Sequence, residues 1–304
     1  MATTTVRRPV PSEQARPLVP VRRALRPLDL LERTVLYGVA ALLALAFMVP
    51  FLWTLGTSLK QISELYNFPP TFVPAVPQWG NYLRVWTRVP FGQWVINSAI
   101  ITSLSMLGTV ISASLVAFSF ARYRYPGREL FFLITLSTMM LPAEVTIIPT
   151  YLMFNKLGWL DTFYPLIIPS WFGGGAFYIF LLRQFFMTIP RDLDDAAKLD
   201  GAHALQIFVN VILPLSRPAL ATVAVISFIG SWDEFLRPLV YLNNPQHFPL
   251  AVGLRYFLNK GNETEPMEHL LMAAAVMITL PCLILFFSTQ RYFVKGVVTS
   301  GIKG

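Results

Sequence analysis

Long stretches without charge alternate with short polar ones along this chain. Six apolar runs stand out, at about 34–57, 94–120, 130–154, 163–182, 219–239 and 270–289. Each is long enough for a helix to cross roughly 30 Å of hydrocarbon. The first has no charged residue and is too long for a signal-peptide core, so it reads as an uncleaved helix. The second is rich in Ser, Gly and Ala, which suits close helix–helix contact inside a bilayer. The third holds Pro142, Glu144 and Pro149 and is expected to be bent or broken. The fourth holds Pro165, Pro169 and the run Gly173, Gly174, Gly175. The expected fold is all-α: a polytopic membrane protein with six transmembrane helices.

Composition supports this. Of 304 residues, 55% are hydrophobic and only 13% charged. A soluble chain carries about 25% charge. The net charge of +8 is a topological bias rather than a sign of nucleic acid. With the N-terminus in the cytoplasm, the segments 1–33, 121–129, 183–217 and 290–304 hold seventeen basic residues against six in the opposite loops. That is a positive-inside pattern, with both termini cytoplasmic. Residues 1–30, rich in Arg and Pro, read as a disordered basic tail near anionic lipid, followed by a six-span transmembrane domain over 31–304. Cys282 lies in an apolar run and reads as a small buried hydrophobe. The three histidines, His203, His247 and His269, make no metal spacing.

The stretch 187–217 is longer than a bundle connection requires. Thr188 is a candidate N-cap and Pro190 suits a first turn. Asp192, Asp194 and Asp195 crowd the early turns, where negative charge favours the helix dipole. Asp194 and Lys198 are spaced for an i,i+4 pair. Asp200-Gly201 marks a turn, and His203 to Ile212 reads as a second short helix ended by Pro214. The expectation is a helix–turn–helix projecting from the membrane. Ala196, Ala197, Gly201 and Ala202 leave little bulk, so a groove of another protein can close around it. A helix lying on the bilayer has the same composition.

This stretch resembles the EAA loop of ABC importer permeases. Asp195, Ala196 and Ala197 stand at the E-A-A positions, Gly201 at the glycine, and Ile212-Leu213-Pro214 at the end. The fuller pattern, Ile189-Pro190 through Asp200-Gly201-Ala202 to Leu213-Pro214, resembles the carbohydrate-type permeases. Ser58-Leu59-Lys60 with Asn67 to Pro70, Asn81-Tyr82, Asn97-Ser98, Trp232-Asp233-Glu234-Phe235 and the ending Gln290 to Gly304 are also similar. Asp195 departs from the usual Glu, keeping the charge with a shorter reach.

The resemblance implies a bacterial inner-membrane permease that imports a sugar or a related polyol or glycerol-phosphate solute. It implies as partners a second permease, two copies of a cytoplasmic ATP-binding subunit and an extracytoplasmic solute-binding protein. Asp195, Ala196, Ala197, Asp200, Gly201, Ala202, Leu213 and Pro214 would form the coupling helix that seats in the ATPase. No G-x-x-x-x-G-K-[ST] is present, so ATP and Mg are expected in the partner and no cofactor in this chain. Asn97, Glu144, Trp232, Asp233 and Phe235 are candidates for the translocation path, with Tyr178 and Trp171 as further aromatic candidates. Charge at membrane depth must face protein or water. Glu234 and Asp233 are expected near Arg237, and Asp161 in an outer loop. A secondary, ion-coupled transporter using Glu144 or Asp233 is the alternative. It has no need of the projecting loop. No cluster of residues suggests an enzyme.

Overall fold

The structure is a computed structural model that describes residues 27–261 and 267–300, and the side chains of 32–258 and 267–290. The expected tail lies outside the described residues apart from its last four positions, and so does the ending 301–304. The chain divides into two units, Met1–Pro50 and Phe51–Gly304. The first unit carries most of helix α1, Pro27–Ser58, whose stretch Glu32–Ser58 has a mean hydropathy of 2.4.

Among its described residues, the second unit has helices as its only regular elements. It contains α2 (Gly80–Arg88), α3 (Phe91–Arg122), α4 (Arg128–Ser137), α5 (Ala143–Lys156), α6 (Tyr164–Ile167) and α7 (Ala176–Thr188). There follow α8 (Asp192–Leu199), α9 (Ala204–Ile207), α10 (Leu213–Leu215), α11 (Arg217–Trp232), α12 (Leu236–Tyr241), α13 (Leu250–Gly261) and α14 (Glu268–Ser300). Among the described residues, four helical stretches are long and apolar enough to span a membrane, and up to six if two bent pairs are each one span.

Helix α3 is the centre. It packs against α7, α11, α6 and α13. Its inward face is small and hydroxylated: Ser98, Thr102, Ser105, Gly108, Thr109, Ser112, Ala113 and Ala117 are buried. Between the buried Phe91 and Trp94 at one end and Phe118 and Phe120 at the other, Ile101 is buried, but Ile96, Ile100, Leu104, Leu107, Ile111 and Leu115 are exposed. This inverts the pattern of a soluble helix. Lipid is as apolar as leucine, so nothing drives large side chains inward, whereas small ones let backbones approach. Ser112 Oγ donates to Gly108 O at 2.7 Å or to Ser170 O at 2.9 Å, and Ser105 Oγ donates to Leu166 O at 3.0 Å.

Two apolar clusters occupy opposite ends of α3. One gathers Phe91, Trp94, Phe154, Trp232, Tyr241, Phe248 and Phe257. The other gathers Phe118, Phe120, Phe132, Phe186, Phe208 and Ile212. Between them the glycine run breaks the fourth apolar segment. Gly173, Gly174 and Gly175 take φ values of 103°, 64° and 99°, a region closed to most L-residues. A Cβ at Gly174 would lie 2.7 Å from Thr109 O, so the break also lets the chain touch α3.

The third segment breaks at Pro142, as its prolines predict, and turns through 100°. The fifth differs from expectation. Helix α11 stops at Trp232, and residues 233–235 separate it from α12. Its bent partner lies on the other side, residues 204–215, at 81°. Pro218 suits the first turn of α11, while Pro238 lies in the separate short helix α12.

The first cluster closes on one glycine. A Cβ at Gly253 would run into the ring of Trp94, which is 1% exposed. Gly253→Val should therefore destabilise the folded state by about 1–3 kcal/mol through overpacking. Gly230→Val should not, since no atom lies within 4 Å of that Cβ. Thermal unfolding in detergent compares the two; equal midpoints would refute the packing account.

Candidate functional site

The stretch between α7 and α11 does form a helix–turn–helix, with details that the sequence pattern misassigns. Thr188 is not an N-cap. It ends α7, and its hydroxyl turns back to donate to Phe185 O at 2.7 Å. Ile189 is extended, as a residue before proline prefers, and α8 starts only at Asp192. Gly201 makes the turn with φ of 80°. His203 caps α9: its side chain accepts from Gln206 N, and Gln206 Oε1 accepts from His203 N at 2.9 Å. Pro214 does not end the second helix. Residues Phe208–Ile212 form a π-turn, and Pro214 begins α10, where its missing N–H is not needed.

The expected Asp194–Lys198 pair is also corrected. Lys198 Nζ meets Asp195 Oδ1 at 2.8 Å, on the surface. That contact holds the Asp195 carboxyl below the usual range and raises Lys198. Asp194 instead turns inward and meets Arg122 Nε at 3.5 Å, with side-chain exposures of 9% and 4%. Arg191 Nη2 donates to Ala121 O at 3.4 Å. Both contacts reach the last residues of α3. Composition hides them, because an arginine closing an apolar run looks like an ordinary interface charge. Asp195, Ala196, Leu199, Asp200 and Gly201 are exposed, while Ala197 and Ala202 are half-buried against the second cluster. Leu213 is half-buried and Pro214 exposed.

The path candidates scatter. Asn97 is 1% exposed, and both its amide hydrogens are committed, to Gln246 O at 2.7 Å and Phe248 O at 3.0 Å. It ties the loop before α13 to α3, together with Ser98 Oγ, which accepts from Leu250 N at 2.8 Å. Trp232 is a core residue, stacked on Phe228 and donating to Ile278 O at 3.2 Å. Glu144 is exposed in the first turn of α5, just past the break. Asp233 is exposed at the end of α11, and Phe235 lies under the Arg255 guanidinium at 5.9 Å. Of the two acids, Glu234 takes Arg237, with Nε to Oε2 at 2.9 Å. Tyr178 is half-buried against the second cluster, and Trp171 covers Gly108.

What the break does assemble is a small polar cleft of about 20 Å³, lined by Ser98, Ile101, Ser105, Leu166, Ser231, Glu234, Arg237, Pro238 and Pro249. That is room for about one water. Three hydroxyls and one ion pair thus meet beside α3 at the interruption of an apolar helix. The three serines are too common in type to single out by composition; their convergence depends on the break at 233–235.

Near the same end, Asp161 organises the loop before α13. Its Oδ1 accepts from Asn243 N and Asn244 N, each at 3.0 Å, and lies 3.2 Å from His247 Nδ1. Partial burial opposes ionisation, but these donors outweigh it and the carboxyl is held below its ordinary value. Among the described residues no group of three or more His, Cys, Asp or Glu side chains lies together as a metal site would need.

Apolar helices of spanning length, broken by prolines and glycines around a polar cleft, define a multi-pass membrane transport protein. The family described as "Binding-protein-dependent transport system inner membrane component" matches residues 108–299, and this chain belongs to it. It is a non-catalytic transmembrane permease subunit of an ABC importer in the inner membrane. The sn-glycerol-3-phosphate transport system permease protein UgpE of Pectobacterium atrosepticum is 33% identical over 243 residues, covering 78% of this chain and 85% of that protein. The arabinooligosaccharides transport system permease protein AraQ of Halalkalibacterium halodurans is 32% identical over 268 residues, covering 87% and 94%. The crystal structure of a bacterial ABC transporter involved in the import of the acidic polysaccharide alginate includes a chain with 27% identity and a TM-score of 0.77, covering 88% of this chain and 98% of that one.

Because the folded-state value of Asp161 is depressed, its contribution is complete above the unfolded value of about 3.9 and is lost as pH falls through the folded one. Amide protection at Asn243 and Asn244 should fall on acidification across that window and be flat in Asp161→Asn. Hydrogen exchange read against pH tests this; the same slope in both chains would refute it.

Proposed function

We propose that this chain forms part of the translocation path for a sugar or related polyol or glycerol-phosphate solute, and couples it to a separate ATPase through the loop 187–217. The carrying observation is the set of exposed residues along that loop: Leu193, Asp195, Ala196, Leu199, Asp200 and Leu205, with Leu199 at 91% exposure. Exposed leucines on a helix with little bulk invite a groove. The loop belongs to the side where basic residues concentrate, which is the cytoplasmic side. On this reading the bent pair 128–156 is one span, residues 204–215 stay in the loop, and α11 with the residues after it makes the fifth crossing, giving six.

The partners are a second permease, two copies of a cytoplasmic ATP-binding subunit that hold ATP and Mg, and an extracytoplasmic solute-binding protein. ATP binding would close the ATPase pair, and residues of α8 and the turn at Gly201 would carry that motion into the spans. Rocking of the two permeases opens the site to alternate sides of the membrane. The coupling is reciprocal: a membrane state favoured by ATPase docking must in turn favour docking.

The solute class rests on the named relatives and on the cleft. The relatives are named for sn-glycerol-3-phosphate and arabinooligosaccharides, and the solved transporter for alginate, all carrying neighbouring hydroxyl groups. The cleft holds about one water as it stands, so Ser98, Ser105, Ser231 and the Glu234–Arg237 pair would meet such groups only once it opened. Glu234 also neutralises Arg237, which suits hydroxyls better than a lone phosphate.

Mild-detergent purification of the tagged chain from its own membrane should retain a stoichiometric ATPase and a second multi-span protein. A chain running alone or as a homomer, with peripheral subunits shown to survive extraction, would favour the ion-coupled reading instead. Asp195→Lys should cut ATPase retention about tenfold, the scale of losing an interface charge pair, while the second permease stays; equal loss of both would refute the assignment. Gly201→Trp should abolish uptake at normal membrane levels. Its φ of 80° strains any side chain, and the added ring would stand in the open space that a docked partner fills. Normal uptake would overturn the docking reading.

A further inference from the structure

Helix α8 is attached to the rest of the protein in an unusual way. Along Asp192–Leu199 only Asp194 is buried and only Ala197 is half-buried. Ala197 offers a methyl group, which is non-directional and can slide. Asp194 offers a carboxylate that meets one partner, Arg122 Nε, at 3.5 Å. One residue ahead of the helix, Arg191 reaches Ala121 O. Apart from its covalent ends, the directional hold on α8 therefore falls on the last turn of α3. Arg122 Nε, Arg122 Nη2 and Asp194 Oδ1 are all buried without hydrogen-bond partners, so the pair is held by charge, and the hydrogen bond to the end of α3 is the one from Arg191. An ion pair so little compensated by other contacts is poor as a stabiliser and demanding in geometry.

Helix α3 then runs unbroken to the opposite end. There Asn97 and Ser98 hold the loop before α13, and Ser98 and Ser105 line the polar cleft. The third, fourth and fifth apolar segments are all interrupted, and α3 is not. A push on α8 that entered a broken segment would be absorbed at its break. A push entering α3 is carried over 32 residues, about 48 Å at the helical rise.

We propose that the buried Arg122–Asp194 pair is the positioning contact through which the docked helix α8 moves α3, and so the cleft. This rests on the reading that α8 docks to the ATPase. Asp194 does not itself face the partner; it faces inward, one residue before the exposed Asp195. The two neighbours should therefore fail in different ways.

The test uses the whole importer in proteoliposomes with its binding protein and solute. Asp194→Asn and Arg122→Gln should keep the ATPase attached but lower solute-stimulated ATP hydrolysis and uptake by about three- to thirtyfold, the range for residues that carry coupling. Arg122→Lys, which keeps the charge, should recover much of the loss. Asp195→Asn should instead lower attachment. Normal stimulation in Asp194→Asn would overturn the proposal, and so would equal loss of attachment in Asp194→Asn and Asp195→Asn. If Asp195→Asn and Asp195→Lys both leave attachment intact while Asp194→Asn uncouples, the docking reading fails at Asp195 and the role of the pair stands. Should the neutral variants not reach the membrane, Arg122→Cys with Asp194→Cys in a Cys282→Ala background replaces them. Bridging the two thiols with a short bis-methanethiosulfonate reagent should restore coupling, and reduction should remove it. No difference between the bridged and reduced forms would overturn the proposal.

Discussion

A helix in hydrocarbon has no water to flee from, and this absence governs the architecture. Helices that cannot be driven together by burying large side chains must be held by close approach and by hydrogen bonds. The inward face of α3 supplies both. Gly108 admits the Trp171 ring, and the Gly174 backbone comes up against Thr109. Ser105 and Ser112 donate to carbonyls of the chain that packs beside them. Bulk at these positions would push the neighbours away, and the cleft beside Ser98 and Ser105 would open with them.

The breaks follow from the same constraint. Backbone groups left unpaired at membrane depth are tolerated only where protein or a wet cavity satisfies them. The glycine run satisfies this by lying against α3. The interruption after Trp232 satisfies it by opening onto the polar cleft, where Glu234 Oε1 accepts from Arg237 N at 3.2 Å. Irregular backbone and polar lining are one arrangement. The buried aromatics of α3 itself keep to its two ends, where Trp94 donates to Pro245 O at 2.9 Å and Phe118 meets Phe208 with ring centres 5.0 Å apart.

Much of this was legible in the chain. Runs without charge located the helices, and the prolines at 142 and 149 and the three glycines announced two of the interruptions. The turn at Gly201 was legible because a turn glycine leaves a local mark, whereas the cap was not: Thr188 ends α7, and His203 caps α9. Two things were not local. Asp194 looked like the i,i+4 partner of Lys198, yet Arg122, far away in sequence, claims it from below. Asn97 and Trp232 looked like cavity lining because polar and aromatic residues serve both path and packing. Only the carbonyls of Gln246, Phe248 and Ile278 distinguish the two, and those are brought near by the tertiary fold. Helix periodicity says which face a residue is on, but not what stands opposite it.

Helix α3 also separates two kinds of information. Over its middle turns the face that builds the chain is written mainly in Ser, Thr, Gly and Ala. The face that meets the surroundings is written in Ile96, Ile100, Leu104, Leu107, Ile111 and Leu115. Since the internal packing does not lean on the second set, it is free to drift with bilayer thickness or lipid type while the first stays fixed. The same division gives a protein engineer a map: those six positions are where polar residues can be introduced to carry this helix into water with its inner contacts unchanged.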